Sequence, residues 1–414
     1  MKAGRKLLFW LHLSVGCIAG VVILAMSVTG AMLAFEKQIK AHLDAPVVLQ
    51  GQADTSQGLS LDSLLTILKG NGQGIPTELV LHNQTGAPIE ARYGRSSTLF
   101  LNPWTAEIIG QPSEGAEHFF STVELIHRSL GLGMQSSFGR GTTGAANLAF
   151  LFLLLSGAYL WFPRIFSLQS IKNRLLFRGG LSGRARERNW HDVIGAWTAA
   201  PLFVLVLTGV IMSYPWASNL LFRVTGTQPP AGGQRRGGPS QHRDQAGNSG
   251  SAPTERPGPV SFHTLDEAVL VAKTRVPEWK SITIEVPNPR DRTVDISADS
   301  SMGGEPEHVT QLTVDRNSGA VKTIKRFSDN NAGGKLRAWS RFLHTGEEFG
   351  WLGQTVAMLA CMGGTILVWT GMSMAIRRAV KSFSGSGEAV AASIPIRSGA
   401  TARPDYGTPP AEAG

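Results

Sequence analysis

Cysteine is almost missing from this chain. Its two cysteines, Cys17 and Cys361, sit among apolar residues, which excludes a disulfide framework and a Cys-x-x-Cys-His haem attachment. Charge is missing too, but only locally: residues 7–35, 145–162, 193–214 and 351–376 hold no Asp, Glu, Lys or Arg. A helix rises ~1.5 Å per residue, so ~20 residues cross a ~30 Å hydrocarbon core. Three stretches reach that length, and the second does so with a further turn from 142–144. No Gly-x-Gly-x-x-Gly on a strand-to-helix turn is evident, so a nicotinamide or flavin fold of the chain's own is not expected. Mid-span acidic or basic residues, which a transporter would want, are absent as well.

What remains is a four-span membrane protein. A signal peptide is the rival reading of the first span, since Lys2, Arg5 and Lys6 resemble an n-region. The apolar run is too long for one, however, and an internal copy of it exists. The net charge of +9 is no nucleic-acid footprint. Arg164, Lys172, Arg174, Arg178, Arg184, Arg186 and Arg188 stand between the second and third spans, with Arg377, Arg378 and Lys381 after the fourth. Short basic loops stay in the cytoplasm, so both termini are expected inside. Trp10, Trp161, Trp190, Trp216, Trp351 and Trp369 cluster near span ends as an aromatic belt.

The expected order is spans at 7–35, 143–163, 190–214 and 350–376, a basic cytoplasmic loop at 164–189 and a tail at 377–414. Residues 36–142 and 215–349 fall on the opposite, periplasmic side. Each carries a helix candidate and then strand candidates. In the first these are 59–68, then 78–81, 97–101 and 107–110, with a turn at Asn102-Pro103. In the second, Thr264 and Glu267 form a capping-box pattern, followed by 281–286, 293–297, 311–315 and 320–324. The chain thus reads as a tandem repeat of span, α+β module, span. Two stretches, 228–259 and 382–414, have the composition of unfolded chain.

Histidines carry the chemical signal. His12 and His191 open the first and third spans, each within a Trp-containing context, and each is followed eighteen residues later by the glycine of a Thr-Gly pair, Thr29-Gly30 and Thr208-Gly209. His127 and His344 precede the other two spans, each six residues before a glycine. A titratable group at the bilayer is costly and usually functional. Depth pairs His12 with His191 near the cytoplasmic face and His127 with His344 near the periplasmic face, each couple a set of axial ligands for one haem iron. His127 is placed on an interfacial helix whose apolar stripe is Phe119, Val123, Ile126 and Leu130. His118 is the one rival for its role. His42, His82, His242, His263 and His308 rank lower. Arg128, Arg188 and Arg341 neighbour the histidines and suit haem propionates. Glycines at 16, 20, 30, 157, 195, 209 and 371 are read chiefly as helix-packing positions.

The repeated His-span-Thr-Gly unit, the Arg186-x-x-x-Trp190-His191-x-x-x-Gly195 stretch and the helix-plus-strand modules resemble the PepSY-associated transmembrane protein family, over roughly 5–378. That resemblance implies a mainly α inner-membrane protein with a four-helix bundle and two periplasmic α+β PepSY-like modules. It also implies two non-covalent b-type haems ligated by histidine and reduction of ferric siderophores in the periplasm, with electrons from quinol or a cytoplasmic reductase. The alternative is a haem-free anchor that regulates a periplasmic protease.

Overall fold

The computed structural model describes residues 2–43, 58–163, 167–229 and 264–392, apart from 85, 95, 96, 164–166, 302 and 304. In chain order the elements are α1 (Lys2–Leu33), α2 (Glu36–Leu43), α3 (Leu61–Gly70), β1 (Glu78–His82), β2 (Ile89–Tyr93), β3 (Ser97–Leu101), β4 (Ile108–Gly110), α4 (Glu114–Ser129), α5 (Ser137–Trp161), α6 (Leu168–Leu175) and α7 (Gly183–Ser213). There follow α8 (Pro215–Val224), α9 (Leu265–Arg275), β5 (Ser281–Glu285), β6 (Thr293–Asp299), β7 (Val309–Asp315), β8 (Val321–Arg326), α10 (Ala332–Thr345) and α11 (Gly350–Ala392).

Four of these, α1, α5, α7 and α11, are long and apolar enough to cross a membrane. They pack as a ring in the order α1, α11, α7, α5. Their outer faces keep side chains such as Ile18, Leu155, Val204 and Leu359 exposed, where lipid takes the place of a core. Successive spans alternate in direction, so the start of α1, the α5–α7 connection and the end of α11 share one end of the bundle. Arg5 there donates to the carbonyls of Leu160 and Phe162, and the Arg378 guanidinium lies over the Trp10 ring. α5 begins earlier than its apolar run suggests, because Ser136 caps it by accepting from the Gly139 N–H. α7 contains Pro201, which removes the hydrogen bond to the Trp197 carbonyl. α11 continues through Ser382, where the tail was expected to start; 393–414 lies outside the described residues, as does 230–259 of the expected insert.

The two expected modules are not separate. Their strands form one antiparallel sheet of eight, ordered β4-β3-β2-β1-β5-β6-β7-β8. The halves meet where β1 pairs with β5, Leu79 opposite Ile284 and Val80 opposite Thr283. Leu79 and Ile284 are fully buried, and one core of Leu64, Leu68, Leu79, Ala272, Ile282, Ile284, Ile296 and Leu312 runs beneath α3 and α9. β2 escaped the sequence reading because only Ile89 and Ala91 bury there, a weak alternation interrupted by Glu90 and Arg92. Thr264 and Glu267 do form a reciprocal capping box on α9.

A second reciprocity locks the halves together. The Leu61 N–H donates to Asp266 Oδ2 (2.9 Å) and the Leu265 N–H donates to Asp62 Oδ2 (2.9 Å). Each aspartate thus satisfies an orphan N–H at the start of the other half's helix. Burial and the facing Asp62 carboxylate hold the Asp266 carboxyl above its ordinary value, while the Leu61 N–H works against them. Asp62→Ala is expected to destabilise the sheet by about 1 kcal/mol, the worth of a lost cap. Asp62→Asn, which keeps an acceptor, should cost less. Amide hydrogen exchange of α3 and α9 in the purified protein checks both.

Candidate functional site

Every span carries a Ser-Gly or Thr-Gly pair that faces a histidine: Thr29-Gly30 in α1, Ser156-Gly157 in α5, Thr208-Gly209 in α7 and Thr370-Gly371 in α11. Each pair supports one of the four singled-out histidines. His12 Nδ1 lies 2.8 Å from Ser156 Oγ, His127 Nδ1 2.9 Å from Thr29 Oγ1, and His191 Nδ1 2.9 Å from Thr370 Oγ1. His344 Nδ1 lies 2.8 Å from the Leu205 carbonyl and 3.2 Å from Thr208 Oγ1. The adjoining glycine lets the ring close in. A Cβ built on Gly30, Gly157, Gly209 or Gly371 would meet the Cε1 of its own histidine at 3.2–3.5 Å. These four glycines are therefore shelves for imidazoles, and Gly30 and Gly209 are also packing positions, against Cys361 of α11 and Asn147 of α5. Gly16, Gly20 and Gly195, by contrast, face Leu153, Met372 and Leu367 on neighbouring spans, as packing predicts.

The two ends of the sequence pattern belong to different sites. Thr29-Gly30 lies far from His12 on the same helix and holds His127 from α4. Likewise Thr208-Gly209 holds His344 from α10. Eighteen residues at ~1.5 Å each put ~27 Å between the histidine and the shelf of α1, and the same separation recurs on α7. The pattern is the trace of two sites at opposite ends of one helix.

The hydroxyls also fix the tautomers. Thr29, Ser156, Thr208 and Thr370 each donate their hydrogen to the carbonyl four residues back, of Ala25, Phe152, Val204 and Ile366, at 2.6–2.7 Å. A hydroxyl whose hydrogen is so used accepts from the imidazole, so Nδ1 carries the proton and Nε2 keeps its lone pair. At His344 a carbonyl, which only accepts, requires the same assignment. A metal-ligating histidine is oriented in this way, by giving its other ring N–H to a neighbouring acceptor. Among the described residues, no hydrogen bond is made to Nε2 of these four rings.

His127 and His344 face each other with ring centres 6.3 Å apart and planes 57° to one another. A metal–imidazole bond is ~2.0–2.1 Å and the ring centre lies about 1 Å beyond the nitrogen, so two imidazoles on one metal have centres about 6 Å apart. The residues present fit such a group. Burial, with the His344 ring beside it, holds His127 well below its ordinary value, to about 4, and burial lowers His344 although its Leu205 bond opposes this. Both are neutral at pH 7, as a ligand must be. At the other end His12 is an electrostatic neighbour of His191.

The corners that deliver the second pair are built alike. α4 ends with Leu130 in the left-handed region (φ 54°) and α10 with Gly346 (φ 77°). Immediately beyond, Gly139 and Gly353 bring the next span against the carbonyls of Ser129 and Gly346, where no side chain would fit. Phe119 is about half exposed and Phe120 is buried in its place, so the α4 stripe is turned from the one expected. His118 is exposed, nine residues and hence half a turn out of phase from His127, which removes it as the rival. His82 pairs with Glu90 and His308 with Glu305, while His42 is exposed. His242 and His263 lie outside the described residues.

The expected anion-pairing arginines are engaged locally. Arg128 pairs with Glu124 (2.6 Å), Arg188 with Asp192 (3.1 Å), and Arg341 lies over Phe342. The reading overlooked Arg140, at the start of α5 beyond Ser129, whose buried Nε has no hydrogen-bond partner. It also overlooked Ser156-Gly157 and Thr370-Gly371, although the recurrence of a hydroxyl-glycine pair in every span was visible. Among the described residues no three His, Cys, Asp or Glu side chains gather to hold a bare metal ion. Both cysteines are free.

The model of the PepSY-associated TM region matches residues 9–378. The chain belongs to the PepSY-associated TM family. The match takes in all four spans, both halves of the sheet and all four paired histidines. No curated protein matches the sequence. As a PepSY-associated TM protein it is a membrane protein, with the sheet and the His127–His344 couple at one end of the bundle and the basic α5–α7 connection at the other.

Thr29→Val keeps the shape of the shelf but removes the 2.9 Å acceptor of a buried N–H and leaves it only the weaker contact with the Met26 carbonyl, at an expected cost of about 1–3 kcal/mol. Thr208→Val should cost less, since His344 retains the Leu205 carbonyl. Thermal unfolding of the two variants side by side distinguishes them.

Proposed function

We propose that this PepSY-associated TM protein is a di-haem b electron carrier of the bacterial inner membrane. In this reading His12 and His191 hold one haem, and His127 and His344 hold the other. The observation that carries it is the set of four imidazoles that share one tautomer, each with Nδ1 donating to a neighbouring element and Nε2 left for iron. A structural histidine would spend both nitrogens on the protein. A haem held by both imidazoles of a couple would supply one-electron transfer rather than oxygen binding.

The protein's part is to hold the ligands rigid and dry. The hydroxyl acceptors keep each ring in one orientation, the glycines admit it close to the helix, and the apolar spans keep water out. Couples ~27 Å apart along α1 and α7 would put one ligand pair near each face of a ~30 Å hydrocarbon core. Electrons would enter at the basic end, from quinol or a cytoplasmic reductase, and leave at the sheet end. A ferric siderophore is the acceptor proposed there, on the resemblance to family members that reduce such complexes. Regulation of a periplasmic protease by a haem-free anchor gives no reason for matched imidazoles at both bundle ends.

Purified protein is expected to show a Soret band that sharpens with split visible bands on dithionite reduction, and two haems per chain by extraction. His12→Ala or His191→Ala should remove about half the pigment, and His127→Ala or His344→Ala the other half. Pigment content unchanged in all four variants would sink the assignment. Addition of ferric siderophore to reduced protein should return the oxidised spectrum; a reduced spectrum that persists rejects that acceptor while leaving the haem sites standing.

A further inference from the structure

The α5–α7 connection is more than a basic loop. α6 folds back beneath the start of α7 and is pinned there by polar contacts. The buried Asn189 accepts from the Arg178 N–H (3.0 Å) and donates to the carbonyls of Asn173 (3.4 Å) and Leu176 (3.3 Å). Trp197 Nε1 donates to the Leu175 carbonyl (3.0 Å) and Trp161 Nε1 to the Asp192 carbonyl (3.0 Å). A polar cavity of about 420 Å³ lies between the hairpin and the spans, with Arg174, Arg178, Arg188, Asn173 and Asp192 on its wall.

Its charge is not balanced. Asp192 is the one acid on the wall and is taken up by Arg188, both carboxylate oxygens lying 3.1 Å from the Arg188 Nε. Arg174 spends one N–H on the neutral Trp161 carbonyl. The Arg178 guanidinium has no acidic partner among the described residues. Two planar, multiply donating cations facing one polar cavity match a phosphate, which arginine binds through paired N–H groups.

Exposed apolar side chains elsewhere on the hairpin and on α7 say where that phosphate comes from. Leu168 (89% exposed), Phe177 (60%) and Trp197 (68%) stand uncovered on the hairpin and on the adjoining turns of α7. Phe177 packs edge-on against Trp190. Apolar and aromatic side chains at the end of a span belong in the interfacial and acyl layers of a bilayer, and basic pockets at that level suit anionic lipid headgroups. We infer that the α6 hairpin is a binding site for one anionic phospholipid, its phosphate between Arg174 and Arg178 and its chains along Leu168, Phe177 and Trp197. The site does not depend on the haem assignment.

Native mass spectrometry of the full chain in neutral detergent tests this, using phosphatidylglycerol and phosphatidylcholine with the same acyl chains, and inorganic phosphate as competitor. The expected result is selective retention of one phosphatidylglycerol, weakened about tenfold in Arg178→Gln and unchanged in Arg184→Gln, which removes the same charge outside the cavity. Arg178→Lys, which keeps the charge but not the planar fork, should fall between. Equal retention of phosphatidylcholine overturns headgroup recognition. Equal losses in Arg178→Gln and Arg184→Gln reduce the effect to general surface charge and overturn the site. Displacement of the lipid by millimolar inorganic phosphate makes it a soluble-anion site and overturns the lipid assignment. Should Arg178→Gln fail to purify, the lipid selectivity of the unaltered chain and the Arg178→Lys comparison decide.

Discussion

An imidazole that gives its Nδ1 hydrogen to the next helix is the bond on which this bundle turns. A neutral histidine buried in apolar surroundings must place its N–H somewhere, and leaving it unpaired costs on the order of 1–3 kcal/mol. Each span provides the acceptor through a serine or threonine already anchored to its own backbone. Small residues beside those hydroxyls remove the steric bar to close approach. The four contacts join α1 to α5, α4 to α1, α7 to α11 and α10 to α7. Packing of the spans and positioning of the rings are therefore one problem with one solution.

The chain order that places these contacts also shapes the sheet. Each half brings one helix and four strands, yet neither half closes its own core, because the inner strands β1 and β5 pair with each other. Asp62 and Asp266 complete the exchange from above. An edge that would otherwise be open to foreign strands is covered by the sister half.

Much of this was legible in the residues. The absence of charge from four runs fixes the spans, because burying an ionised side chain in hydrocarbon is prohibitive. The capping box at Thr264 and the strand runs at 281–286 and 293–297 mark their elements for similarly local reasons. Matched spacing singled out His12, His191, His127 and His344 as a set. What stayed hidden was which shelf serves which ring, since hydrogen bonds between helices leave no spacing rule along one chain. Thr29 lies nearer His12 in sequence than His127, yet a helix cannot bend back on itself across ~27 Å. The joining of the halves through β1 and β5 was hidden for the same reason. A strand that pairs within its own half and one that pairs with the sister half have the same alternation.

α1 and α7 each act as a ruler, with a histidine at one end and a shelf for another at the far end. A stiff ruler holds the two couples at constant separation and constant rotation about the bundle axis. Pro201 interrupts only the second ruler; in α1 the corresponding stretch runs unbroken. Bending at that point would tilt His344 against His191 while His127 and His12 stayed aligned. Of the two rulers, α7 alone carries a gap in its hydrogen-bond ladder from which such bending would start.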